Sequence, residues 1–198
     1  GTLWDNVDSY VIVWNKGLEI NGFDIRVDRN ELLNLMGKEA RVLLNTIIPG
    51  ASIEMQDKLF DEVINQYQLL LPHIRPKIYE GVTDGLKELS KKYPLYLLSN
   101  CEEGGLANFM NHTNTTHLFK DYMEHGQNLQ PKSYNMKLLQ TRNNLRNPVY
   151  IGDTAGDSRS SEKAGLPFVF MSYGFGQTDS YDLKFDSFDE LTAYFMGL

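Results

Sequence analysis

The segment Asn147–Asp157, which reads Asn-Pro-Val-Tyr-Ile-Gly-Asp-Thr-Ala-Gly-Asp, decides the fold of this chain. Its apolar run, residues 149–151, lies between a proline and a glycine and is typical of a strand buried on both faces of a parallel sheet. Gly152 allows a sharp turn, which places Asp153 at the carboxyl end of this strand. Open α/β sheets bind their ligands at that edge, so the segment predicts both a fold class and a site.

A second carboxylate, Asp157, follows Asp153 just ahead of a helix predicted over 158–164. Two carboxylates that converge on one strand end are unfavourable unless a cation or a base shares the site. A polar turn with a capping aspartate is the alternative interpretation, because Asp and Gly are common in turns for local reasons. The pair is therefore a candidate functional site, and the support for this interpretation depends on the other motifs of the chain.

Composition limits the protein class. The 198 residues are enough for one domain, or one domain with a modest insertion, and a hydrophobic content of 41% supports a sizeable core. The formal net charge of −7 argues against a nucleic-acid surface. The single cysteine, Cys101, favours a reducing cytoplasm. No stretch approaches the roughly 20 apolar residues needed to span a bilayer, and no secretory leader is visible, so we expect a cytoplasmic protein without a membrane partner.

The first part of the chain predicts a small helical module. Asp5 is predicted to cap the first helix, and Asp28 with Glu31 forms a pattern like a capping box at the second. The predicted helices span about 5–18, from 28 onward, 38–47 and 53–71.

The pattern changes after Pro76, where strands and helices alternate. Such alternation predicts a parallel sheet with right-handed crossovers. The segment Tyr173–Gly176 has two interpretations, an edge of the active site or a mobile turn, and the second is favoured because a single Gly-x-Gly is a weak signal. The predicted strands are 95–100, 122–123, 149–151 and 167–170, and the predicted helices are 81–93, 103–111, 133–145, 158–164 and 189–195.

Further polar groups follow other predicted strands. Ser99 and Asn100 offer a hydroxyl and a backbone amide, and Lys132 lies in a loop just ahead of a helix. Together with the two aspartates, this set suits a phosphoryl group held against a divalent cation, since phosphoryl transfer relies on positioning and electrostatic stabilisation. Taken singly, Ser99 is equally well explained as a helix N-cap. Lys132 taken alone is better explained as a solvated surface lysine.

Four ordered motifs resemble those of the haloacid dehalogenase superfamily, in its phosphoglycolate-phosphatase-like branch. Residues 1–5 resemble the end of the first motif, DxDGTLxD, and Leu97–Asn100 resembles the second. Lys132 takes the place of the third, although it follows a proline here where relatives often read Lys-Pro. Gly152–Asp157 matches the fourth, GDxxxD, which is the most specific element. The resemblance covers essentially the whole chain.

The resemblance implies an α/β fold, with a Rossmannoid parallel sheet that has helices on both faces. A small helical cap is then inserted after the first motif. The implied core domain comprises residues 1–4 and 77–198, and the implied cap domain comprises residues 5–76.

The family's chemistry implies a magnesium-dependent phosphatase acting on a small phosphorylated metabolite, as a monomer or homodimer. Asp153 would hold magnesium, with Asp157 either in the metal site or orienting Lys132 or a metal-bound water. Ser99 and the amide of Asn100 would bind phosphoryl oxygens, and Lys132 would offset negative charge during catalysis. Thr2 would support the backbone of the substrate site.

The first motif departs from the family pattern, because its two aspartates would precede Gly1. One of them would attack phosphorus to form a phospho-aspartyl intermediate. We expect an upstream strand ending in Asp-x-Asp to fill a slot between the strands that end at Ser99 and Ile151. The alternatives are a non-catalytic phosphate- or partner-binding protein, a phosphomutase, and a metal-independent haloacid dehalogenase, against which Asp153 argues.

Overall fold

The computed structural model describes residues 1–36, 38, 40–73 and 75–198, and the chain divides into two compact units. The core unit comprises Gly1–Trp4 and Ile78–Leu198, and the helical unit comprises Asp5–Lys77. The chain passes between the units at two short strands that pair with each other, β1 (Trp4–Asp5) and β2 (Lys77–Ile78).

The helical unit begins with a cap that differs from the predicted one. Asn6, and not Asp5, is the N-cap of the first helix, while Asp5 Oδ1 accepts a hydrogen bond from the backbone N–H of Val7 at 3.0 Å. The capping box of Asp28 and Glu31 is confirmed. Residue 39, within the helix predicted over 38–47, lies outside the described residues. The helices here are α1 (Val7–Ile20), α2 (Arg29–Leu33), α3 (Ala40–Ile47) and α4 (Ile53–Leu70).

The core unit alternates strands with helices, as predicted, and its strands pair in parallel. The strands are β3 (Leu95–Ser99), β4 (Phe119–Glu124), β5 (Tyr150–Gly152), β6 (Phe168–Met171) and β7 (Leu183–Phe185). The helices are α5 (Val82–Ser90), α6 (Gly105–Thr113), α7 (Lys132–Asn143), α8 (Ala155–Ala164) and α9 (Phe188–Gly197). β7 carries no strong strand pattern and was not predicted from sequence.

Two boundaries around the deciding segment differ from the prediction. Val149 lies outside β5 and is 41% exposed, so the strand is shorter than the apolar run and begins at Tyr150. α8 begins three residues earlier than predicted, because Thr154 caps it through a reciprocal capping box with Asp157. Asp157 therefore lies in the first turn of a helix, where its charge is favourable.

The strands form separate groups within the described residues. β3 pairs with β4, and β5 pairs with β6, which pairs with β7; β3 and β5 share no hydrogen bonds. One apolar cluster joins these groups by packing helices against the sheet, so the carboxyl ends of β3 and β5 are held near each other. Its most deeply buried members are Val82, Phe109, Val169, Met171 and Leu191.

The helix that begins at Lys132 is anchored at its other end to β4. Arg142 donates from Nε and Nη2 to the two carboxylate oxygens of Asp121, at 2.6 and 2.7 Å, and Asn143 donates from Nδ2 at 2.6 Å. Partial burial would raise the pKa of Asp121, but the hydrogen bonds from Arg142 and Asn143 lower it below its usual value.

Asp121→Asn is expected to lower the free energy of unfolding at pH 7 by about 1 kcal/mol, because a bidentate pair is lost. The folded-state pKa of Asp121 is depressed, so its stabilisation is present above the unfolded pKa, about 4, and disappears as pH falls through the folded value. Urea unfolding at pH 7 and pH 3 should therefore show a smaller difference between the two pH values in the variant. The exposed pair of Arg41 and Asp57 provides the control, Asp57→Asn, for which little change is expected. An equal change in unfolding free energy and in its pH dependence for Asp121→Asn and Asp57→Asn would show that Asp121 does not anchor α7.

Candidate active site

The carboxyl ends of β3 and β5, together with the first residues of the chain, surround one cavity of about 120 Å³ in the core unit. Its apolar part is lined by Leu3, Trp4, Leu97, Leu98, Leu106 and Phe109. Its polar part is lined by Thr2, Ser99, Lys132, Tyr150, Asp153 and Asp157. Five of the six predicted site residues thus meet at one place. The sixth, Asn100, is exposed and is not among the lining residues.

Lys132 and Asp157 form a buried ion pair at this cavity. Lys132 Nζ donates to Asp157 Oδ1 at 2.5 Å, and the exposed fractions of the two side chains are 14% and 6%. α7 delivers Lys132 from its first residue, and α8 delivers Asp157 from its first turn. Lys132 is therefore not a solvated surface lysine.

Tyr150 completes the environment of this ion pair. Its hydroxyl donates to Asp157 Oδ1 at 3.4 Å, and its ring lies 5.8 Å from Lys132 Nζ. Burial raises the pKa of Tyr150 well above its usual value although the charge of Lys132 opposes this, so the phenol stays protonated. Burial would lower the pKa of Lys132, but the charge of Asp157 and contact with Tyr150 raise it, so the lysine stays charged.

The second carboxylate oxygen of Asp157 is also fully engaged. Oδ2 accepts from the backbone N–H groups of Asp153 and Thr154 at 3.2 and 3.1 Å, and from the Thr154 hydroxyl at 2.8 Å. Burial would raise the pKa of Asp157, but Lys132 and these hydrogen bonds lower it, so it is a carboxylate. Because its acceptor sites are occupied, this geometry favours Asp157 as a residue that orients Lys132 over one that binds metal directly.

Asp153 has different surroundings. It is 4% exposed, and within the described ranges no lysine or arginine side chain forms an ion pair with it. The Thr2 hydroxyl donates to Oδ1 at 2.8 Å, and the backbone N–H of Phe175 donates to Oδ2 at 2.9 Å. The backbone nitrogen of Gly1 lies 3.9 Å from Oδ1. A buried carboxylate without a basic side chain is a suitable ligand for a cation.

Ser99 lies at the end of β3 and lines the cavity. Its Oγ accepts from the backbone N–H of Cys101 at 3.1 Å, which leaves the hydroxyl hydrogen free to donate. Ser99 does not cap the next helix, since Gly104 is the N-cap of α6. The N-cap interpretation is therefore wrong, and a role in binding an anion remains the prediction.

Comparison with known proteins places this site in a family. The family described as haloacid dehalogenase-like hydrolase matches residues 1–171 of the chain. The chain belongs to this family. The resemblance to the haloacid dehalogenase superfamily, in its phosphoglycolate-phosphatase-like branch, is therefore confirmed.

Individual relatives agree with the family assignment. A curated phosphoglycolate phosphatase from Rhodobacter capsulatus is 24% identical over 209 residues, covering 100% of this chain and 94% of the relative. A structure described as a predicted phosphatase from Clostridium acetobutylicum has a TM-score of 0.84 at 18% identity, with 100% and 95% coverage. A structure described as a predicted phosphoglycolate phosphatase from Haemophilus somnus has a TM-score of 0.83 at 19% identity, with 98% and 94% coverage. The likeness to these structures confirms the α/β fold.

The family fold implies magnesium, and the side chains present fit it in part. Over residues 1–36, 38, 40–73 and 75–198, no group of three or more His, Cys, Asp or Glu side chains is placed to hold a metal. Magnesium usually binds through one or two carboxylates and completes its shell with water and substrate phosphate. Asp153, buried at the cavity without a basic side chain, fits that pattern as a single protein ligand.

Sequence reasoning missed several residues of this haloacid dehalogenase-like site. Glu124 is 1% exposed and accepts from the backbone N–H groups of Gly104, at 2.9 Å, and Leu106, so it holds the start of α6 behind Ser99. Tyr150 was interpreted only as a strand former. The segment Tyr173–Gly176, for which a mobile turn was favoured over an edge of the active site, lies against Asp153. Its Gly-x-Gly spacing was the signal, because paired glycines permit close backbone approach.

Within the described part of the chain, no helix is long and apolar enough to cross a membrane.

Proposed function

We propose that this protein is a magnesium-dependent phosphatase that hydrolyses a small phosphorylated metabolite through a phospho-aspartyl intermediate. The observation that carries the proposal is the convergence at one cavity of Asp153, a buried carboxylate that no described lysine or arginine side chain pairs with, and the ion pair of Lys132 and Asp157. A carboxylate for a divalent cation beside a fixed ammonium group is the arrangement that stabilises charge on a transferring phosphoryl group.

The side chains divide the work on the phosphoryl group. Ser99 donates its free hydroxyl hydrogen to one phosphoryl oxygen. Asn100 does not line the cavity, so its side chain has no part in the proposal, and only its backbone amide, directly after Ser99, is a donor to a second oxygen. Lys132, held by Asp157 and kept charged, places a positive charge beside the nucleophile and the phosphoryl oxygens. Asp153 binds magnesium, which when bound offsets the negative charge of the phosphoryl group.

The nucleophile in this proposal is an aspartate of a strand that precedes Gly1 and lies between β3 and β5. Support comes from the two strands themselves, which share no hydrogen bonds although residues of both line the same cavity. The lining is apolar beside Leu97 and Leu98 and becomes polar at Ser99, as expected where a buried strand ends in catalytic carboxylates.

The proposed reaction has two displacements at phosphorus. The aspartate oxygen forms a bond to phosphorus while the bond to the leaving oxygen breaks, and the second aspartate of the first motif gives that oxygen a proton. The same residue then takes a proton from water, whose oxygen attacks phosphorus and releases inorganic phosphate and the free aspartate. Splitting one difficult step into two is the advantage of covalent catalysis.

The test uses the full-length protein with phosphoglycolate and other small phosphate monoesters, with magnesium or with EDTA. We expect phosphate release that requires magnesium, and an acid-stable, hydroxylamine-sensitive label on the protein after quenching a reaction with a ³²P-labelled substrate. Halide release from a 2-haloacid without metal would favour the dehalogenase alternative. Phosphate binding without turnover of any monoester would overturn the proposal in favour of a non-catalytic protein.

A further inference from the structure

The segment Tyr173–Gly176, which follows β6, makes several contacts with Asp153 that the proposed chemistry does not use. We propose that it is a positioning device that fixes the Asp153 carboxylate for a divalent cation. The inference rests on the proposed function, since it assumes that Asp153 is a metal ligand. It assigns a role to residues that neither bind substrate nor take part in the chemical steps.

Two consecutive backbone amides of this segment hold Asp153. The N–H of Phe175 donates to the side-chain oxygen Oδ2 at 2.9 Å, and the N–H of Gly176 donates to the backbone oxygen at 3.1 Å. The same short turn therefore fixes both the main chain of Asp153 and the orientation of its carboxylate. Backbone amides suit this task because they have no rotamer freedom of their own.

The glycines are required by the closeness of this approach. A Cβ atom on Gly174 would lie 2.2 Å from Asp153 Cβ and 2.6 Å from Oδ2. A Cβ atom on Gly176 would lie 2.9 Å from the Asp153 backbone oxygen. Contacts under 3.0 Å force one partner to move, so a side chain at Gly174 would displace the carboxylate itself.

Tyr173 extends the device to the other oxygen of Asp153. Its hydroxyl donates to the backbone oxygen of Thr2 at 2.6 Å, and the Thr2 hydroxyl in turn donates to Asp153 Oδ1 at 2.8 Å. Burial, together with the neighbouring Tyr79 and Asp153, raises the pKa of Tyr173, so its phenol stays protonated and keeps its donor. The Tyr79 ring packs at 4.7 Å and limits its movement.

The carboxylate is thus held at both oxygens. A carboxylate has about four acceptor directions, and these contacts use one on each oxygen, which leaves the others for a cation. Hydrogen-bond partners that orient a metal ligand typically change metal affinity 10- to 100-fold when they are lost.

Gly174→Ala should therefore weaken Mn²⁺ binding to the full-length protein about 10- to 100-fold, as measured by electron paramagnetic resonance of free Mn²⁺. Mn²⁺ is the probe because it prefers the same oxygen ligands as magnesium. Gly197→Ala is the matched control, since a Cβ atom there meets nothing within 4 Å, and its Mn²⁺ affinity should equal that of the wild type.

Tyr173→Phe removes one hydroxyl and keeps the ring, so it tests the device even where Gly174→Ala folds poorly. Loss of this hydrogen bond should weaken Mn²⁺ binding about two- to tenfold. The matched control is Tyr194→Phe. Tyr194 lies on α9, is 42% exposed, and its ring packs against Phe185 and Phe195. We expect wild-type Mn²⁺ affinity from that control.

The outcomes separate this inference from the proposed function. If the wild-type protein binds no Mn²⁺, or if Asp153→Asn binds it equally well, the metal site of the proposed function is wrong. If the wild type binds Mn²⁺ through Asp153 but Tyr173→Phe and Gly174→Ala bind it unchanged, the positioning role is wrong. Lower thermal stability with unchanged Mn²⁺ affinity shows a structural role alone and also overturns the inference.

Discussion

Asp153→Asn is expected to abolish magnesium-dependent phosphatase activity, with a loss of at least about a thousandfold, while the protein stays folded. Among the described residues that line the cavity, Asp153 and Asp157 carry carboxylates, and Asp157 is already paired with Lys132. The substitution therefore removes the carboxylate that is placed to take the cation. Loss of one preorganised electrostatic element typically costs about 10²–10³ in rate, and removal of the metal as well adds to this. Turnover of an aryl phosphate against magnesium concentration measures the effect.

The fold should survive because asparagine keeps the size of the side chain. Its amide oxygen can accept from either the Thr2 hydroxyl or the Phe175 N–H, the two donors that contact Asp153 now. The control is Asp179→Asn on an exposed turn, which should retain wild-type turnover and magnesium dependence. An Asp153→Asn protein whose magnesium dependence matches the wild type would show that the metal ligand has been assigned wrongly.

Lys132→Ala is expected to lower kcat by about 10²–10³, because a fixed positive charge beside the phosphoryl group is lost. It should also lower the free energy of unfolding by about 3–5 kcal/mol, since Asp157 is left as a buried charge without its partner. Lys137→Ala on the exposed face of the same helix provides the control and should be close to wild type in both measurements. Steady-state kinetics and urea unfolding are measured on the same samples.

A double variant separates the two effects of Lys132. In Lys132→Ala with Asp157→Asn, no unpaired charge is buried, so much of the lost stability should return. Activity should stay low, because the ammonium group that faces the phosphoryl oxygens is still absent. Recovery of activity together with stability would mean that Lys132 acts only through folding, and equal small effects of Lys132→Ala and Lys137→Ala would mean that the third motif is placed wrongly.

Asp153 and Asp157 have different roles because their surroundings differ, and those surroundings cannot be read from the sequence. Asp153 and Asp157 occur in one motif, yet one lacks a basic side-chain partner and the other is paired with Lys132, 25 residues away. The GDxxxD pattern places both at one strand end, but hydrogen-bond occupancy decides which can accept a cation. That occupancy depends on α7 packing beside α8.

The sequence by itself determined the family, the alternation of strands and helices in the core unit, and the strand ends that carry Ser99 and Asp153. These follow from local patterns: apolar runs bounded by glycine and proline, and polar groups directly after them. It was less reliable at boundaries. β5 begins at Tyr150 and not at Val149. α8 begins one turn earlier than predicted, because Thr154 caps the helix there.

Only the tertiary structure decided how these groups are oriented. The Thr2 hydroxyl reaches Asp153 across 151 positions of sequence, and the Phe175 N–H reaches it across 22. A residue pattern predicts on which face of a strand or helix a side chain lies. It does not predict which backbone groups from distant parts of the sequence come within hydrogen-bond distance of that side chain. The Gly174 contact with Asp153 exists only because the turn after β6 packs against the end of β5, and packing between distant segments is a property of the folded chain.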